Sequence, residues 1–572
     1  MTDQLDDDSG RELLRQIAGF FQTHGVPAYV VGGTVRDWLL GRSSLDLDLA
    51  VAGDALTLTR ALADELDAAY VPLDIERATA RVVLRRTEGT RRVGARQGGE
   101  QVGLRMMRQS ALPRPYAYID VAQLRGDTLA ADLVERDFTV NAMAVRLEDA
   151  AAGRLDVIDL LGGRRDLRAG RLRATSESAF RDDPLRMLRA IRLAAELNFA
   201  IVPQTKAWIA DHAHAIRAPA PERLRDELVR LFACPDTSSQ IRLMDELGLL
   251  GPLLPELVAG KGVAQPSMHQ WDVFEHSLMV VERVDRVLGV LELPSFGPAG
   301  QQPTPVDAAV EEVRSCLAPF AADLRAHLLA ELVGGRQRFV LLKLLALLHD
   351  VGKAETRSVD EAGDVHFYGH EQVGAEMVAA ILRRFHFGAR EVQLGRTVTR
   401  HHPRPLWLAG ADKVTNRAIY RFFRDTRKAG LDVVLLALAD TLARGDEPPA
   451  AATWPVQLGI TGRLLRAWFE RRDSIVQPPP LVRGSDLIET FGLEPGPIVG
   501  ELLEAIRETQ VTGDVATRSE ALELAGDWLA AKLGSRGAEE QGSRGAGGQG
   551  SGGAGEQGAG ERGSGGAGGR GR

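Results

Sequence analysis

Residues 30–51 read VVGGTVRDWLLGRSSLDLDLAV, and the last third of this stretch decides the fold. In Leu45-Asp46-Leu47-Asp48-Leu49 polar and apolar residues alternate with period two, so on a strand both carboxylates project from one face while the leucines cover the other. Residues i and i+2 of a strand lie roughly 6.6 Å apart, which lets their oxygens converge on a pair of divalent ions about 3.5 to 4 Å apart. Like charges that close repel without a cation. Upstream, residues 28–31 read as a buried strand and Gly32-Gly33 as a tight turn. Residues 34–40 read as one or two helical turns, with Thr34 a candidate cap and Gly41 the stop. Such a turn places free backbone N–H groups where a triphosphate would lie. A glycine pair before a short helix and an Asp-x-Asp on a solvated strand face are each common; the spacing that joins them carries the reading.

The run GGTVRDWLLGRSSLDLD resembles the signature of the class II tRNA nucleotidyltransferase and poly(A) polymerase family, within the DNA polymerase beta superfamily. The resemblance implies an α+β fold whose polymerase-beta-like head has a mixed sheet, with Gly32 and Gly33 beside the nucleotide and Asp46 and Asp48 holding catalytic Mg2+. Arg36 and Asp37 match positions near the site, where Arg36 could face phosphate and Asp37 could equally be an internal salt-bridge partner. Residues 118–122, YIDVA, form a further expected strand. Its Asp120 could supply a third catalytic carboxylate on the same sheet, or stand in solvent on an edge strand.

Arg136-Asp137-Phe138-Thr139-Val140-Asn141-Ala142-Met143 resembles the family's RDFT-x-NAM motif nearly residue for residue. That implies sugar and triphosphate binding by Arg136, Asp137 and Asn141; a guanidinium suits phosphate oxygens, and a carboxylate or amide suits a ribose hydroxyl. Further on, residues 180–192 read FRDDPLRMLRAIR, with Pro184 in the first turn of a helix and Arg186 and Arg189 on a basic face. This matches the family's acid-Asp-x-x-Arg motif, with Asp182 where Glu is commoner. The match implies that Asp183 accepts from an exocyclic amine and Arg186 donates to a ring nitrogen, a pattern that cytosine and adenine share and uracil and guanine reverse. Without the family, helix capping by Asp182 or Asp183 and solvated arginines would account for the same residues.

At 572 residues the chain is too long for one core. Two cysteines, Cys234 and Cys316, give neither a disulfide framework nor a zinc-finger spacing, which suits a reducing cytoplasm. The acidic start MTDQLDDDSG and the lack of any run of 18 apolar residues argue against secretion and membrane insertion. A net charge of -8 does not advertise an RNA binder, but seven arginines fall between Arg85 and Arg108 and nine between Arg164 and Arg192. Local patches matter more than the total for contact with a phosphate backbone. Residues 91–115, rich in Arg, Gln and Gly and without periodicity, read as a mobile loop near the nucleotide.

In the second half an apolar run, residues 340–348, ends in His349-Asp350-Val351-Gly352-Lys353. A histidine and an aspartate closing an apolar helix need a partner that offsets their desolvation, and a metal ion provides one. With His276, His370, His401-His402 and Asp440 they form an ordered set that resembles the HD metal-dependent phosphohydrolase superfamily. The resemblance implies that His276, His349, Asp350 and Asp440 bind one divalent ion, with His370 and one of His401 and His402 able to hold a second. Mixed imidazole and carboxylate ligation suits a transition metal or magnesium without choosing among them. Lys353 could neutralise a phosphate.

The expected organisation is a nucleotidyltransferase head over 12–148, an all-α neck and RNA-binding body over 149–255 and an all-α HD domain over 262–450. A helical region over 451–533 and a disordered Gly-rich tail over 534–572 follow. The implied function is addition of C and A to the tRNA 3' end from CTP and ATP, with possible hydrolysis in the HD domain. Relatives confined to A addition or poly(A) synthesis share these motifs, and an RNA-end phosphohydrolase with a degenerate head is the alternative of another class. Partners are tRNA, ATP and CTP, with no membrane; no residue pattern fixes an oligomeric state.

Overall fold

A computed structural model describes residues 8–42, 46–84, 117–126, 128–266, 270–293, 305–411, 413–445, 449–450 and 452–545; the expected loop over 91–115 lies outside them. The head is built on a seven-stranded sheet. Its strands are β1 (Ala28–Val31), β2 (Asp46–Val51), β3 (Ala69–Asp74), β4 (Thr79–Val83), β5 (Tyr118–Gln123), β6 (Met143–Arg146) and β7 (Val157–Asp159), in the order β3-β4-β5-β2-β1-β6-β7. β2 and β5 run parallel and the other neighbours antiparallel, so the sheet is mixed.

β2 lies inside this sheet with Leu47 and Leu49 fully buried on one side, as its alternation requires. The turn before it differs from the expected one. The helix Gly32–Leu39 begins at Gly32 itself, whose φ of +71° favours glycine, and no side chain caps it. Thr34 is a clamp on β2 and not a cap: its hydroxyl donates to the Asp46 carbonyl (3.2 Å) and accepts from the Asp48 N–H (2.9 Å). Asp120 lies on β5 between β2 and β4, so it is no edge residue.

The helical body contains Leu185–Leu197 and Pro221–Ala233, the latter opened by its proline. It is not helical throughout: Asn198, in the left-handed region, ends the first helix, and Ala200–Ile201 then pairs with Arg171–Leu172. The HD portion is helical apart from a two-strand hairpin, Ser358–Val359 with Val365–His366. Lys343, fully buried, ties it to the body by donating to the Cys234 carbonyl (2.7 Å) and pairing with Asp285 (2.6 Å).

Among the described residues, 413–424 and 470–545 belong to a second compact unit. Within it Arg421 grips Glu508 through two 2.6 Å bonds and Arg424 pairs with Glu504, so a segment inside the expected HD range packs with the C-terminal helices. The helix Arg518–Gly545 runs past residue 533, where the disordered tail was expected to begin. No helix among the described residues is long and apolar enough to cross a membrane.

Thr34→Val removes the clamp and leaves the Asp48 N–H unpaired, so it should destabilise the head by about 1–3 kcal/mol. The shift of the first urea unfolding transition measures the loss.

Candidate functional site

In parallel register Asp46 stands beside Tyr118 and Asp48 beside Asp120, which places three carboxylates on adjacent positions of one sheet face. Asp46 is exposed and Asp48 half-buried. Burial, then the charges of Asp120 and Asp46, push the Asp48 carboxyl up to about 6, against the pull of Arg136 and Arg189. Gly32 and Gly33 lie directly over this carboxylate: a Cβ on Gly32 would sit 3.3 Å from Asp48 Oδ2 and 3.2 Å from Arg136 Nη1. The glycine turn is thus a close approach of backbone to the acid.

Around it the family-motif residues converge. Arg36 donates to both Asp37 oxygens (2.9 and 3.0 Å) and to Asn141 Oδ1 (2.8 Å), so Asp37 is the internal partner. Asn141 donates in turn to Asp137 (3.1 Å), which accepts from the Phe138 N–H (2.8 Å) and pairs with Arg189 (3.1 Å). Burial raises Asp137, but Arg189, Asn141, Arg186 and the Phe138 N–H outweigh it and hold the carboxyl below its ordinary value. Arg136 is oriented by Asp132, one helical turn before it (2.9 Å). Arg189 therefore brings the helix Leu185–Leu197 up to the carboxylates.

Asp183 and Arg186 line one pocket of about 420 Å³ together with Arg77, Arg125 and Glu135. Asp183 accepts from the Leu185 N–H (3.3 Å) and from Arg223 (2.6 Å), and Arg186 donates to the carbonyls of Ala179 and Glu135 (3.3 and 3.1 Å). Asp120 accepts a two-pronged grip from Arg81 (2.6 and 2.7 Å). Arg81, Asp132 and Arg223 are the site residues that sequence reasoning missed. Only Arg81 left a signal, as the polar member of the alternation in residues 80–83.

In the HD portion His276, His349, Asp350, His402 and Asp440 are all buried. Two groups, His276 with His349 and Asp350, and Asp350 with His370 and His402, each bring their ligand atoms within 4.8 Å of one another, so Asp350 belongs to both. Asp440 accepts from His276 Nε2 (3.0 Å). The Nδ1 atoms of His349, His370 and His402 donate to the carbonyls of Ala346, Phe367 and Thr399 at 2.7 to 2.8 Å. A carbonyl only accepts, so those nitrogens carry the proton and each Nε2 lone pair is left for a cation. His349 Nε2 and Asp350 Oδ1 are buried and complete no hydrogen bond, as a metal site requires of its donors. His349 Nε2 faces Asp350 Oδ2 at 3.1 Å, so a proton there is held by that carboxylate. Against burial, the His349 imidazolium and Lys353 hold Asp350 well below the ordinary range, and a cation would take the place of that proton.

His401 does not join this cluster. Consecutive residues on a helix point about 100° apart, so only one of the pair can face it. Burial and the neighbouring Arg404 push His401 down to about 4. Lys353 is not open to a phosphate, being held by Asp350 and Gln265 (2.7 Å each). Gly352 is required by packing, because a Cβ there would lie 2.3 Å from the His370 carbonyl.

Four family profiles match the chain. They are the Poly A polymerase head domain over 28–173, the Probable RNA and SrmB- binding site of polymerase A over 198–260, the HD domain over 323–445 and tRNA nucleotidyltransferase domain 2 over 463–525. The class is thus that of a nucleotidyltransferase head joined to an RNA-binding body and an HD domain. An A-adding tRNA nucleotidyltransferase of Deinococcus radiodurans is 34% identical over 89% of this chain and 97% of its own. A CC-adding tRNA nucleotidyltransferase of Geobacter sulfurreducens is 31% identical over 88% and 93%. The chain belongs to the tRNA nucleotidyltransferase family and is an enzyme of that kind. In fold it is similar to a CCA-adding enzyme solved with ATP, at 22% identity over 91% of this chain and 96% of that one with a TM-score of 0.56. It is also similar to the Thermotoga maritima CCA-adding enzyme complexed with tRNA, with a TM-score of 0.52 over 91% and 96% and the same identity.

Folded Asp48 titrates near 6 and an ordinary aspartate near 3.8. Its stabilising protonation is complete below the lower value and lost as pH rises through the upper one. A cation taken by Asp48 would need the carboxylate, so its binding should strengthen about fivefold from about pH 5 to 6 and level off above about pH 7. Mn2+ titrations of the Asp48-dependent binding step at several pH values measure this.

Proposed function

We propose that the chain adds C and A nucleotides to the 3' end of tRNA, taking them from CTP and ATP. The observation that supports this reading is the convergence of Asp46, Asp48, Arg136 and Arg189 on one face, with Asp183 and Arg186 lining a pocket served by the same helix as Arg189. Asp46 and Asp48 hold Mg2+. The two ions would supply activation of the RNA 3' hydroxyl and neutralisation of the leaving pyrophosphate.

The chain's own residues do the rest. Arg136 and the Gly32-Gly33 backbone take phosphate oxygens, while Asp137 and Asn141, already fixed by each other and by Arg36, meet the sugar. Asp183 accepts from the base amine and Arg186 donates to the ring nitrogen, which admits C and A. Arg223 already occupies one Asp183 oxygen, so the base shares that carboxylate with it.

A second reading, A addition alone, is favoured by the 34% identity to the D. radiodurans enzyme. We infer further that the histidine cluster holds divalent ions, as the Nδ1 bonds and the orphaned Nε2 of His349 support, and that it hydrolyses a phosphoester. The free state of both cysteines supports a reducing, cytoplasmic setting.

Purified protein with tRNA lacking CCA should incorporate C from CTP and then A from ATP. Extension of only tRNA ending in CC, with ATP, would establish the second reading instead. Asp48→Ala should lower incorporation by at least about a hundredfold with folding intact. Hydrolysis of a phosphomonoester or a 2',3'-cyclic phosphate should survive Asp48→Ala and disappear in His349→Ala; loss in the first variant instead would place hydrolysis outside the histidine cluster.

A further inference from the structure

Registers across four strands place Asp48, Asp120, Arg81 and Val71 in one lateral row on the face that carries the acids. Asp120 is the immediate neighbour of Asp48 and contributes to the repulsion that Asp48 feels. Both oxygens of Asp120 are already used, one by Arg81 Nε (2.6 Å) and one by Nη2 (2.7 Å). The guanidinium is held a second time, lying 4.7 Å over the ring of Tyr118, whose register partner on β2 is Asp46. A planar fork that engages both carboxylate oxygens occupies the positions from which a divalent ion would be bound, and the contact with the ring restricts the guanidinium from swinging away.

We propose that Arg81 is a positioning residue that keeps Asp120 out of the cation set, so that of the three adjacent acids only Asp46 and Asp48 take metal. The proposal rests on the reading that these two aspartates hold magnesium. Arg81 does two things at once. It offsets part of the charge of Asp120, which would otherwise add more to the repulsion that Asp48 feels, and it denies a passing cation a third ligand displaced one strand away from β2. A third free carboxylate would bind cations more tightly but draw them toward β5, away from the hydroxyl and pyrophosphate that the site must bridge.

The test measures Mn2+ binding to the full-length protein without nucleotide, following the step that Asp48→Ala removes. Arg81→Met should tighten that step about tenfold while lowering nucleotide incorporation, whereas Asp120→Asn should leave Mn2+ affinity within about twofold. The double variant should return to the affinity of the native chain, a reversal that general damage to the sheet would not produce. Arg81→Lys, which keeps the charge and loses the fork, should tighten binding less than Arg81→Met and provides the measurement if the methionine variant does not fold. Weakening by Asp120→Asn of about tenfold or more, or unchanged or weaker binding in the Arg81 variants, overturns the proposal. If no binding step depends on Asp48, the metal reading itself fails and this inference fails with it.

Discussion

Three carboxylates crowd one end of the β2–β5 pair, and the rest of the head answers that concentration of negative charge. Two strands in parallel register cannot place Asp48 beside Asp120, with Asp46 one step away, unless positive charge is supplied nearby. The chain supplies it in tiers. Arg81 pairs directly with Asp120, while Arg136 and Arg189 lower the Asp48 carboxyl from a distance without fully offsetting its burial and its acidic neighbours. The charge left over falls on Asp46 and Asp48, the pair we propose as the cation ligands. A surface acid pair would relax into water; here Thr34 pins the strand through the Asp46 carbonyl and the Asp48 N–H, so backbone geometry and not side-chain choice fixes the separation.

The arginines that serve the site are themselves positioned by acids. Arg36 is spanned by Asp37 and Asn141, Arg136 by Asp132, and Arg189 by Asp137, so each guanidinium points along a direction set before any nucleotide arrives. Long flexible side chains lose much rotamer entropy when they are fixed, and in this head that loss is taken during folding. The Gly32 turn complements this order: with no Cβ it lets backbone approach Asp48 to a distance that any other residue would fill.

The parts of this site that were legible in the sequence are those set by local period and by motif. Alternation in residues 45–49 put both acids on one face because strand geometry demands it, and the RDFT run and the Asp-x-x-Arg helix carried their own spacing. What was not legible depended on pairing between distant strands. β3 contains Pro72 and lies on an edge, where a missing N–H is tolerated, so its propensity signal is weak. β6 is four residues long with its first three buried, which leaves no alternation to read. The Arg81–Asp120 grip joins residues 39 apart in the chain and follows only from the β4–β5 register, which no local pattern encodes. The packing of segment 413–424 was not legible for a similar reason: Arg421 and Arg424 meet Glu508 and Glu504, which lie 87 and 80 residues further along the chain.

The HD cluster solves the same electrostatic problem by different means. In the head, carboxylates are crowded on two adjacent strands and arginines answer their charge. In the HD portion Asp350 is surrounded by the imidazoles of His349, His370 and His402, whose protonation is set by helix ends, while Asp440 pairs with His276. His349 and His402 each follow the last residue of a helix, where carbonyls lack intrahelical partners, and each Nδ1 takes the carbonyl three residues before it. His370 opens its helix and uses the Phe367 carbonyl of the preceding turn in the same way. Helix termini therefore fix the tautomers, and the tautomers direct the Nε2 lone pairs inward toward Asp350. That logic also explains the neighbouring glycine: the helix bearing His370 can approach Asp350 only because position 352 has no side chain, so the HDVGK run specifies the distance between two helices as much as it specifies ligands.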